Sequence, residues 1–297
     1  MTASLASATE ENLEFGDADF RKLAALAHRE FGLDLAESKK PLVYSRLSRR
    51  LKALGLARFQ DYLALFDQPG NETERQSLIS ALTTNVTSFF REKHHFEQFR
   101  TDCLAPERAR VEAGGRFRVW SAGCSTGPEP YSIAMTILQD WPGAGARDVR
   151  ILATDIDPEV VQKARQGHYA PQDGEALRGS PHQRHIDMDP DGSARMKEDL
   201  RKLISFAELN LIAPWPFKGP FDAIFCRNVA IYFDQETQQR LWQRFSDMLC
   251  DGGLLFIGHS ERLTGPATTS LHPAGITSYR KSGSPQTTHN NGKAAWD

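Results

Sequence analysis

The spacing of hydrophobic positions changes once along the chain, near residue 116. Over residues 17–80 apolar residues recur at helical spacing and no stretch alternates like a strand, so this part is predicted to be all-helical. After residue 116, short apolar runs alternate with helical patterns, which predicts a parallel sheet with crossover helices. The predicted strands are 117–120, 150–154, 222–226 and 253–258, and the predicted helices are 129–141, 158–166 and 235–250.

Three stretches depart from these patterns. Residues 168–206 are polar and rich in turn residues, and an Asp-Gly pair at 191–192 is a hairpin signal, so we expect a small inserted β-subdomain there. Both ends are small, polar and aperiodic and are predicted to be disordered tails. The predicted organisation is a tail over 1–14, a helical domain over 15–80, an α/β domain over 81–282 and a tail over 283–297.

Composition narrows the class of protein. The 297 residues carry a net charge of −2 with 40% hydrophobic and 25% charged residues, which is typical of a globular protein and argues against a whole-chain nucleic-acid binder. The four cysteines show no paired spacing, which indicates reduced thiols. No segment is typical of a signal peptide or a membrane span, so we expect a cytoplasmic monomer without membrane insertion.

A glycine loop follows the first predicted strand. The segment from Phe117 to Glu129 has a strand, a loop of small residues containing Gly123 and Gly127, and the start of a helix. The next strand ends at Asp155, 28 residues after Gly127. In an open α/β sheet such a loop lets the backbone approach a nucleoside, and the acid accepts hydrogen bonds from the ribose diol. The pair predicts a nucleoside cofactor without deciding which one.

Two residues of this loop favour S-adenosylmethionine over NAD. Ser125 stands where a dinucleotide fingerprint has its middle glycine. Glu129 lies at the start of the helix, where a carboxylate repels a pyrophosphate but tolerates a cationic ligand. An NAD-dependent oxidoreductase remains the alternative enzyme class.

Further polar residues follow the third predicted strand. Arg227 and Asn228 leave its carboxyl end, where ligands bind in open α/β sheets. Tyr232 lies in the loop that follows. Arg227 and Asn228 could serve only to form the turn, but their position favours a role in the same site. Tyr232, considered alone, is better interpreted as a half-buried aromatic residue of the loop.

A basic segment and a histidine pair are the remaining candidates. Residues 38–60 hold seven basic residues and no acid. A helix predicted over 41–54 has one apolar face formed by Val43, Leu47, Leu51 and Leu54. Arg46, Arg49 and Arg50 lie on an adjacent stripe, which favours an anionic partner; nucleic acid is one candidate. His94 and His95 are adjacent on a predicted helix and point about 100° apart, so they make a poor metal pair. We expect no metal.

Five ordered segments resemble the CheR-type chemotaxis receptor methyltransferases, and the resemblance extends over about residues 17–282. The segments are Thr84-Asn-Val-Thr-Ser-Phe-Phe-Arg-Glu92, Ser121-Ala-Gly-Cys-Ser-Thr-Gly-Pro-Glu-Pro-Tyr-Ser132, Ala153-Thr-Asp-Ile-Asp157, Ile224-Phe-Cys-Arg-Asn-Val-Ala-Ile-Tyr-Phe-Asp234 and Gly258-His-Ser-Glu261.

The resemblance implies an S-adenosylmethionine-dependent protein-glutamate O-methyltransferase of sensory adaptation, which releases S-adenosylhomocysteine. It implies an α/β class I (Rossmann-like) methyltransferase domain with a small β-subdomain insertion, preceded by an all-α domain. Arg91 and Tyr232 match residues proposed to act near the methyl group. The residues expected at the cofactor are Asn85, Thr87, Arg91, Gly123, Glu129, Asp155, Asn210, Leu211, Arg227 and Asn228.

The resemblance also implies a partner. It favours the acidic methylation helices of a chemoreceptor as the ligand of Arg46, Arg49 and Arg50, in place of nucleic acid. The insertion is about three residues shorter than in relatives that dock a receptor C-terminal peptide, and it lacks their glycine-rich tip, which predicts no pentapeptide tether. A non-catalytic, cofactor-sensing adaptor is the alternative from another class, because a cofactor site does not by itself establish turnover.

Overall fold

A computed structural model of the chain describes residues 13–68 and 70–283. The tails predicted over 1–14 and 283–297 lie outside the described residues, except for three residues at their inner ends.

The chain divides into two compact units, one ending at Thr84 and the other beginning at Asn85. The division falls four residues after the end of the helical domain expected from the sequence. None of the described helices is both long enough and apolar enough to cross a membrane.

The first unit is all-helical where it is described, as the periodicity predicts. Helix α2 (Lys40–Ala53) turns Val43, Leu47 and Leu51 inward, each at most 3% exposed, which confirms its predicted apolar face. Leu54, expected on the same face, follows the helix and is 40% exposed. The helices of this unit are α1 (Asp17–Phe31), α2 (Lys40–Ala53), α3 (Phe59–Ala64) and α4 (Glu72–Leu82).

The second unit is built on a seven-stranded sheet of order β6-β2-β1-β7-β8-β10-β9. Neighbouring strands from β6 to β8 pair in parallel, while β10 pairs antiparallel with both β8 and β9. Every residue of β7 is buried, as expected of a central strand with both faces covered. The strands are β1 (Phe117–Ala122), β2 (Val149–Asp155), β6 (Ile204–Glu208), β7 (Phe221–Cys226), β8 (Leu249–Ile257), β9 (Leu271–Gly275) and β10 (Ser278–Lys281).

The predicted strands and helices of this unit all form. The four predicted strands correspond to β1, β2, β7 and β8. The three predicted helices correspond to α7 (Pro128–Asp140), α8 (Pro158–Gln166) and α11 (Gln235–Met248), and the α/β class is confirmed. The helices of the unit are α5 (Lys93–Phe99), α6 (Ala105–Glu112), α7 (Pro128–Asp140), α8 (Pro158–Gln166), α9 (Pro171–Glu175), α10 (Glu198–Arg201) and α11 (Gln235–Met248).

A second, three-stranded sheet of order β3-β5-β4 lies within the stretch assigned to the insertion. Its hairpin turns at Gly192, as the Asp-Gly signal predicts. The stretch 168–206 nevertheless extends too far, because residues from Ile204 onward pair with β2 of the main sheet and so belong to its hydrogen-bond ladder. The strands of the small sheet are β3 (His168–Tyr169), β4 (Ile186–Met188) and β5 (Ala194–Met196).

Parallel pairing brings the carboxyl ends of four strands to one edge of the main sheet. Ala122, Asp155, Cys226 and Ile257 are the last residues of β1, β2, β7 and β8. The side chains that follow these ends are therefore the ones that a ligand at this edge meets.

Candidate functional site

The glycine loop after β1 holds three residues in the left-handed region. Gly123, Ser125 and Gly127 have φ of +86°, +50° and +100°. A Cβ on Gly127 would lie 2.7 Å from the hydroxyl of Tyr169 in the small sheet, so only glycine fits there. Ser125 adopts a conformation that usually selects glycine, and its backbone amide is held by a hydrogen bond from the loop to β2.

Asp155 joins the end of β2 to this loop. Its carboxylate accepts hydrogen bonds from the amides of Ser125 (2.8 Å) and Asp157 (3.1 Å). Burial raises the pKa of Asp155 to about 6, against the lowering effect of those amides. Asp155, which is predicted to bind the ribose, is thus fixed at the end of β2 in contact with the glycine loop.

Asn85 lies against the same loop. Its side-chain amide donates to Asp157 at 3.0 Å, and its carbonyl accepts a hydrogen bond from the hydroxyl of Ser125 at 3.3 Å. Thr87, two residues on, is half-buried. The structure therefore brings the segment that begins at Asn85 to the glycine loop and the end of β2, although the three are distant in sequence.

Glu129 and Arg227 form a charged pair behind the loop. The Ser121 hydroxyl donates to Glu129 at 2.7 Å, and Arg227 Nε lies 3.5 Å from the Glu129 carboxylate. Burial raises the pKa of Glu129, although Arg227 and Ser121 act in the opposite direction. The side chain of Arg227 is 2% exposed, and its Nη2 donates to the carbonyl of Arg91 at 2.5 Å.

The same pair fits the amino-acid end of S-adenosylmethionine. Within the described residues, Nε and Nη1 of Arg227 are buried and have no hydrogen-bond partner. A buried guanidinium with unused donors suits a carboxylate, and the neighbouring Glu129 suits an ammonium. These residues can therefore hold a zwitterion with one charge on each.

Asn210 and Leu211 follow the end of β6. The amide of Leu209 donates to the Asp155 carbonyl at 2.8 Å, which places the segment beside the β2 end. Arg244 of α11 donates to the carbonyls of Leu211 (2.5 Å) and Ala213 (2.6 Å). Asn210 and Leu211 thus reach the ligand edge on a loop that α11 supports.

The two residues expected near the methyl group occupy different surroundings. Arg91 donates through Nη1 to the carbonyl of Val86 at 3.2 Å, so its guanidinium is partly engaged within its own loop. Tyr232 is half-buried at the end of a single 3₁₀ turn, Ala230–Tyr232. Asn228 has φ +59°, and its backbone amide donates to Glu261 at 3.0 Å.

Sequence reasoning assigned no role to two acids that the structure places here. Glu261 is 5% exposed and lies at the ends of β7 and β8. Glu92, with φ +57°, accepts from His259 Nδ1 at 3.2 Å and lies 3.8 Å from Arg227 Nε. Burial pushes the pKa of Glu92 upward, but Arg227 and His259 outweigh it and the pKa is lowered. Both acids lie within segments quoted for the family resemblance, which is the signal that could have found them.

The expectation that His94 and His95 point apart is wrong. Their ring centroids are 4.2 Å apart, and with Glu92 they offer three ligand atoms within 4.8 Å of one another. The permanent charge of Arg227 already faces the free oxygen of Glu92, which disfavours a divalent cation. The absence of a metal stays a prediction.

The basic stripe of α2 also differs from expectation. Only Arg49 of the three arginines is exposed. Arg46 donates to the carbonyls of Ala81 (3.2 Å) and Thr83 (2.9 Å) at the end of α4, and Arg50 pairs with Glu74. Two of the three therefore stabilise the helical unit, because unsatisfied carbonyls and a buried acid on α4 attract them.

The main sheet ends in an antiparallel pair of strands, and its ligand edge carries a glycine loop with acids at two strand ends. This combination defines a class I S-adenosylmethionine-dependent methyltransferase. The profile described as "CheR methyltransferase, SAM binding domain" matches residues 85–279, and "CheR methyltransferase, all-alpha domain" matches residues 18–83. The chain belongs to the CheR methyltransferase family, and its cofactor is S-adenosylmethionine.

Similar proteins agree with this assignment. The chain is 47% identical to a "Probable chemotaxis protein methyltransferase" of Rhizobium etli, over 86% of this chain and 96% of that one. It is 45% identical to the "Chemotaxis protein methyltransferase" of Escherichia coli, over 86% and 87%. It is 44% identical to "Chemotaxis protein methyltransferase 2" of Pseudomonas aeruginosa, over 88% and 92%. The chain is a chemotaxis-type methyltransferase, and nothing in these similarities supports an NAD-dependent oxidoreductase.

Proposed function

We propose that the chain transfers the methyl group of S-adenosylmethionine to glutamate side chains of chemoreceptors. The products are a glutamyl methyl ester and S-adenosylhomocysteine. The family and the relatives named above support a chemotactic role. One observation supports a carboxylate as the methyl acceptor: each acid at the strand ends already accepts hydrogen bonds.

Acids that are already hydrogen-bonded make poor general bases. Glu261 accepts from four backbone amides, Asp155 from two, Glu129 from Ser121 and Glu92 from His259. Burial and the charge of Arg227 lower the pKa of His95 to about 4, and its Nε2 lies 2.9 Å from the carbonyl of Ile276. A glutamate acceptor, with a pKa of about 4.3, arrives ionised and needs no base.

The work left to the chain is alignment and exclusion of water. Bound S-adenosylmethionine supplies an activated methyl group on a sulfonium. Arg227 and Glu129 would hold its amino-acid end, Asp155 its ribose, and Asn210 with Leu211 its adenine. Asn85, Thr87, Gly123 and Asn228 complete the cradle. Fixing both reactants in a near-attack geometry is worth about 7–11 kcal/mol.

Arg91 and Tyr232 orient the incoming carboxylate in this proposal. A guanidinium that bound the nucleophilic carboxylate in a bidentate contact would stabilise the ground state and slow attack. Arg91 already uses Nη1 on the Val86 carbonyl, which supports a positioning contact shared with a neutral hydroxyl. Tyr232→Phe tests this: turnover should fall while S-adenosylhomocysteine affinity is retained, and unchanged turnover would remove the hydroxyl from the mechanism.

The proposed partner is the cytoplasmic methylation helices of a chemoreceptor, bound by the chain as a monomer without a tether. The edge strand β4, where an added peptide strand would pair, has only three residues. The turn beyond it is closed by its own bonds, including Asp189 amide to Ser193 carbonyl at 2.9 Å. A receptor C-terminal pentapeptide should therefore show no saturable binding in a titration.

The direct test is transfer of a radiolabelled methyl group to receptor-containing membranes. Glutamyl esters release methanol in alkali, whereas N-methyl groups do not, so the label should be alkali-labile and should disappear when the receptor glutamates are changed to glutamine. Alkali-stable label would refute a carboxylate acceptor. Cofactor binding without any transfer would instead favour the sensing adaptor.

A further inference from the structure

Glu261 connects two strand ends of the ligand edge. Its Oε2 accepts from the amides of Gly258 (2.5 Å) and Asn228 (3.0 Å). Its Oε1 accepts from the amides of Val229 (2.9 Å) and Ile231 (3.3 Å). One carboxylate thus binds the residue after β8 and three residues of the segment after β7, here called the Arg227–Tyr232 loop.

This carboxylate is buried for a structural reason. Glu261 is 5% exposed, and burial raises its pKa while the backbone amides oppose that rise. A buried acid without partners would cost several kcal/mol, so four donors on two oxygens are what make its burial tolerable. The same bonds satisfy amides that the end of a strand and the start of a 3₁₀ turn leave unpaired.

The loop that Glu261 holds is packed between two glycines. On one side, a Cβ on Gly123 would lie 2.2 Å from Cγ2 of Val229. On the other side, a Cβ on Gly258 would lie 2.5 Å from Nδ2 and 2.7 Å from the amide nitrogen of Asn228. A small shift of the Arg227–Tyr232 loop would therefore change its close contacts with the glycine loop after β1 and with the end of β8.

We propose that Glu261 is a positioning residue for the Arg227–Tyr232 loop, setting cofactor affinity through Arg227 and Asn228 and methyl-transfer rate through Tyr232. The left-handed backbone of Asn228, at φ +59°, is one conformation that it enforces. Since Val229 contacts Gly123, the carboxylate also fixes the distance between this loop and the cofactor cradle. This role rests on the site assignments of the proposed function, but not on the identity of the acceptor.

Glu261→Gln tests the role in the full-length chain. An amide has one acceptor oxygen, and its NH₂ group would face backbone N–H donors, so two or more amides lose their partner. We expect the dissociation constant for S-adenosylhomocysteine to rise about tenfold or more, measured by calorimetry. Glu261→Asp keeps the charge on a shorter side chain, and its dissociation constant should lie between those of the unmodified chain and Glu261→Gln. Glu236→Gln, on an exposed acid of α11, is the matched control and should bind as the unmodified chain does.

Binding stoichiometry separates positioning from loss of fold. A residue that only stabilises the fold would lower the number of binding-competent molecules and leave the affinity of the rest unchanged. A positioning residue gives full stoichiometry with a weaker constant, and a lower kcat at saturating S-adenosylmethionine. Native affinity in Glu261→Gln, at either stoichiometry, would overturn the proposal.

Gly258→Ala provides a second route should Glu261→Gln fail to fold. It leaves Glu261 intact and presses on Asn228 from the β8 side, so it should also weaken S-adenosylhomocysteine binding. Native affinity in this variant would overturn the proposal. The ligand test needs no acceptor, so a chain that binds S-adenosylhomocysteine but methylates no receptor would refute the proposed function and leave this role standing.

Discussion

Arg50 and Glu74 form a bidentate ion pair within the helical unit, with Nε 2.9 Å from Oε1 and Nη2 2.5 Å from Oε2. Glu74 is 7% exposed and also accepts a hydrogen bond from the hydroxyl of Tyr62 at 2.8 Å. Burial together with Glu74 raises the pKa of Tyr62, which keeps its hydroxyl a donor. An arginine that the sequence suggested for partner binding is thus part of the packing between α2 and α4.

Reversal of charge at Arg50 should destabilise the helical unit. Arg50→Glu places a second carboxylate against buried Glu74 and removes three hydrogen bonds to a charged acceptor, which costs about 1–3 kcal/mol or more. The midpoint of thermal unfolding should fall accordingly. Arg49→Glu is the matched change on the exposed face and should leave the midpoint unchanged.

The same pair of variants tests the partner surface. Arg49→Glu should raise the apparent KM for the receptor severalfold, more at low salt, while the KM for S-adenosylmethionine stays constant. An Arg50→Glu protein with unaltered unfolding would contradict the structural role. Receptor kinetics unaffected by Arg49→Glu at low ionic strength would contradict the docking role.

Periodicity predicted most of the fold because it reports which side of an element is buried. It identified the face of α2 that holds Leu47, for example, and the strands that are central in the sheet. It could not tell that Arg50 would meet Glu74, since that partner is 24 residues away and its approach depends on how α4 packs. The strands β9 and β10 escaped prediction because they are short and because β9, the edge strand, contains Pro273, a residue that is typical of a break.

The site was predictable to the extent that it follows from strand ends. Asp155 and Arg227 were found because parallel strands deliver the residues after them to one edge. Glu261 could not be assigned in that way, because its partners are backbone amides, which every sequence supplies at every position. Only the folded chain shows which amides are left without a partner and therefore need a carboxylate.

Gly123→Ala should weaken cofactor binding. The residue has φ +86°, and a Cβ would lie 2.2 Å from Cγ2 of Val229, so the loop must move. Affinity for S-adenosylhomocysteine should fall at least about tenfold, measured by calorimetry, since close backbone approach is what the loop provides.

Gly145→Ala is the control for that substitution. Gly145 has no atom within 4 Å of its would-be Cβ and lies in a 3₁₀ segment that precedes the amino end of β2, whereas the predicted cofactor site is at the carboxyl ends of the strands. It should bind S-adenosylhomocysteine with native affinity. Equal affinities in the two variants would show that the loop does not cradle the cofactor.

Chelation should leave activity unchanged. Glu92, His94 and His95 could offer ligands to an ion, but Arg227 lies 3.8 Å from the free carboxylate oxygen and supplies the positive charge that a metal would bring. Protein treated with EDTA should keep its methyl-transfer rate, and His94→Ala should keep its affinity for S-adenosylhomocysteine. Stoichiometric metal in purified protein, lost in His94→Ala, would reverse this conclusion.

The raised pKa of Asp155, about 6, predicts a pH dependence of cofactor affinity. Ribose hydroxyls donate to the ionised carboxylate, so affinity for S-adenosylhomocysteine should rise from pH 5 to pH 7, by up to about tenfold per unit below the pKa. Glu129, whose pKa burial also raises, adds to the same trend. Calorimetry of the unmodified chain and of Asp155→Asn measures the difference: the variant should bind more weakly at pH 7 with a flatter profile.

The contribution of Asp155 to the stability of the unliganded chain should change with pH in the opposite direction. Burial raises the folded-state pKa of Asp155 from 3.8 to about 6, so between those values the native state binds more protons than the unfolded state. The contribution of this group to the free energy of unfolding therefore falls as pH rises through that window and is constant above it. Asp155→Asn should remove that contribution, whereas Asp187→Asn, on an exposed carboxyl of β4, should not. The contradicting outcome would be that affinity for S-adenosylhomocysteine and stability of the unliganded chain change with pH in the same direction, and that Asp155→Asn removes both changes. The carboxylate of Asp155 would then not bind the ribose with a raised pKa.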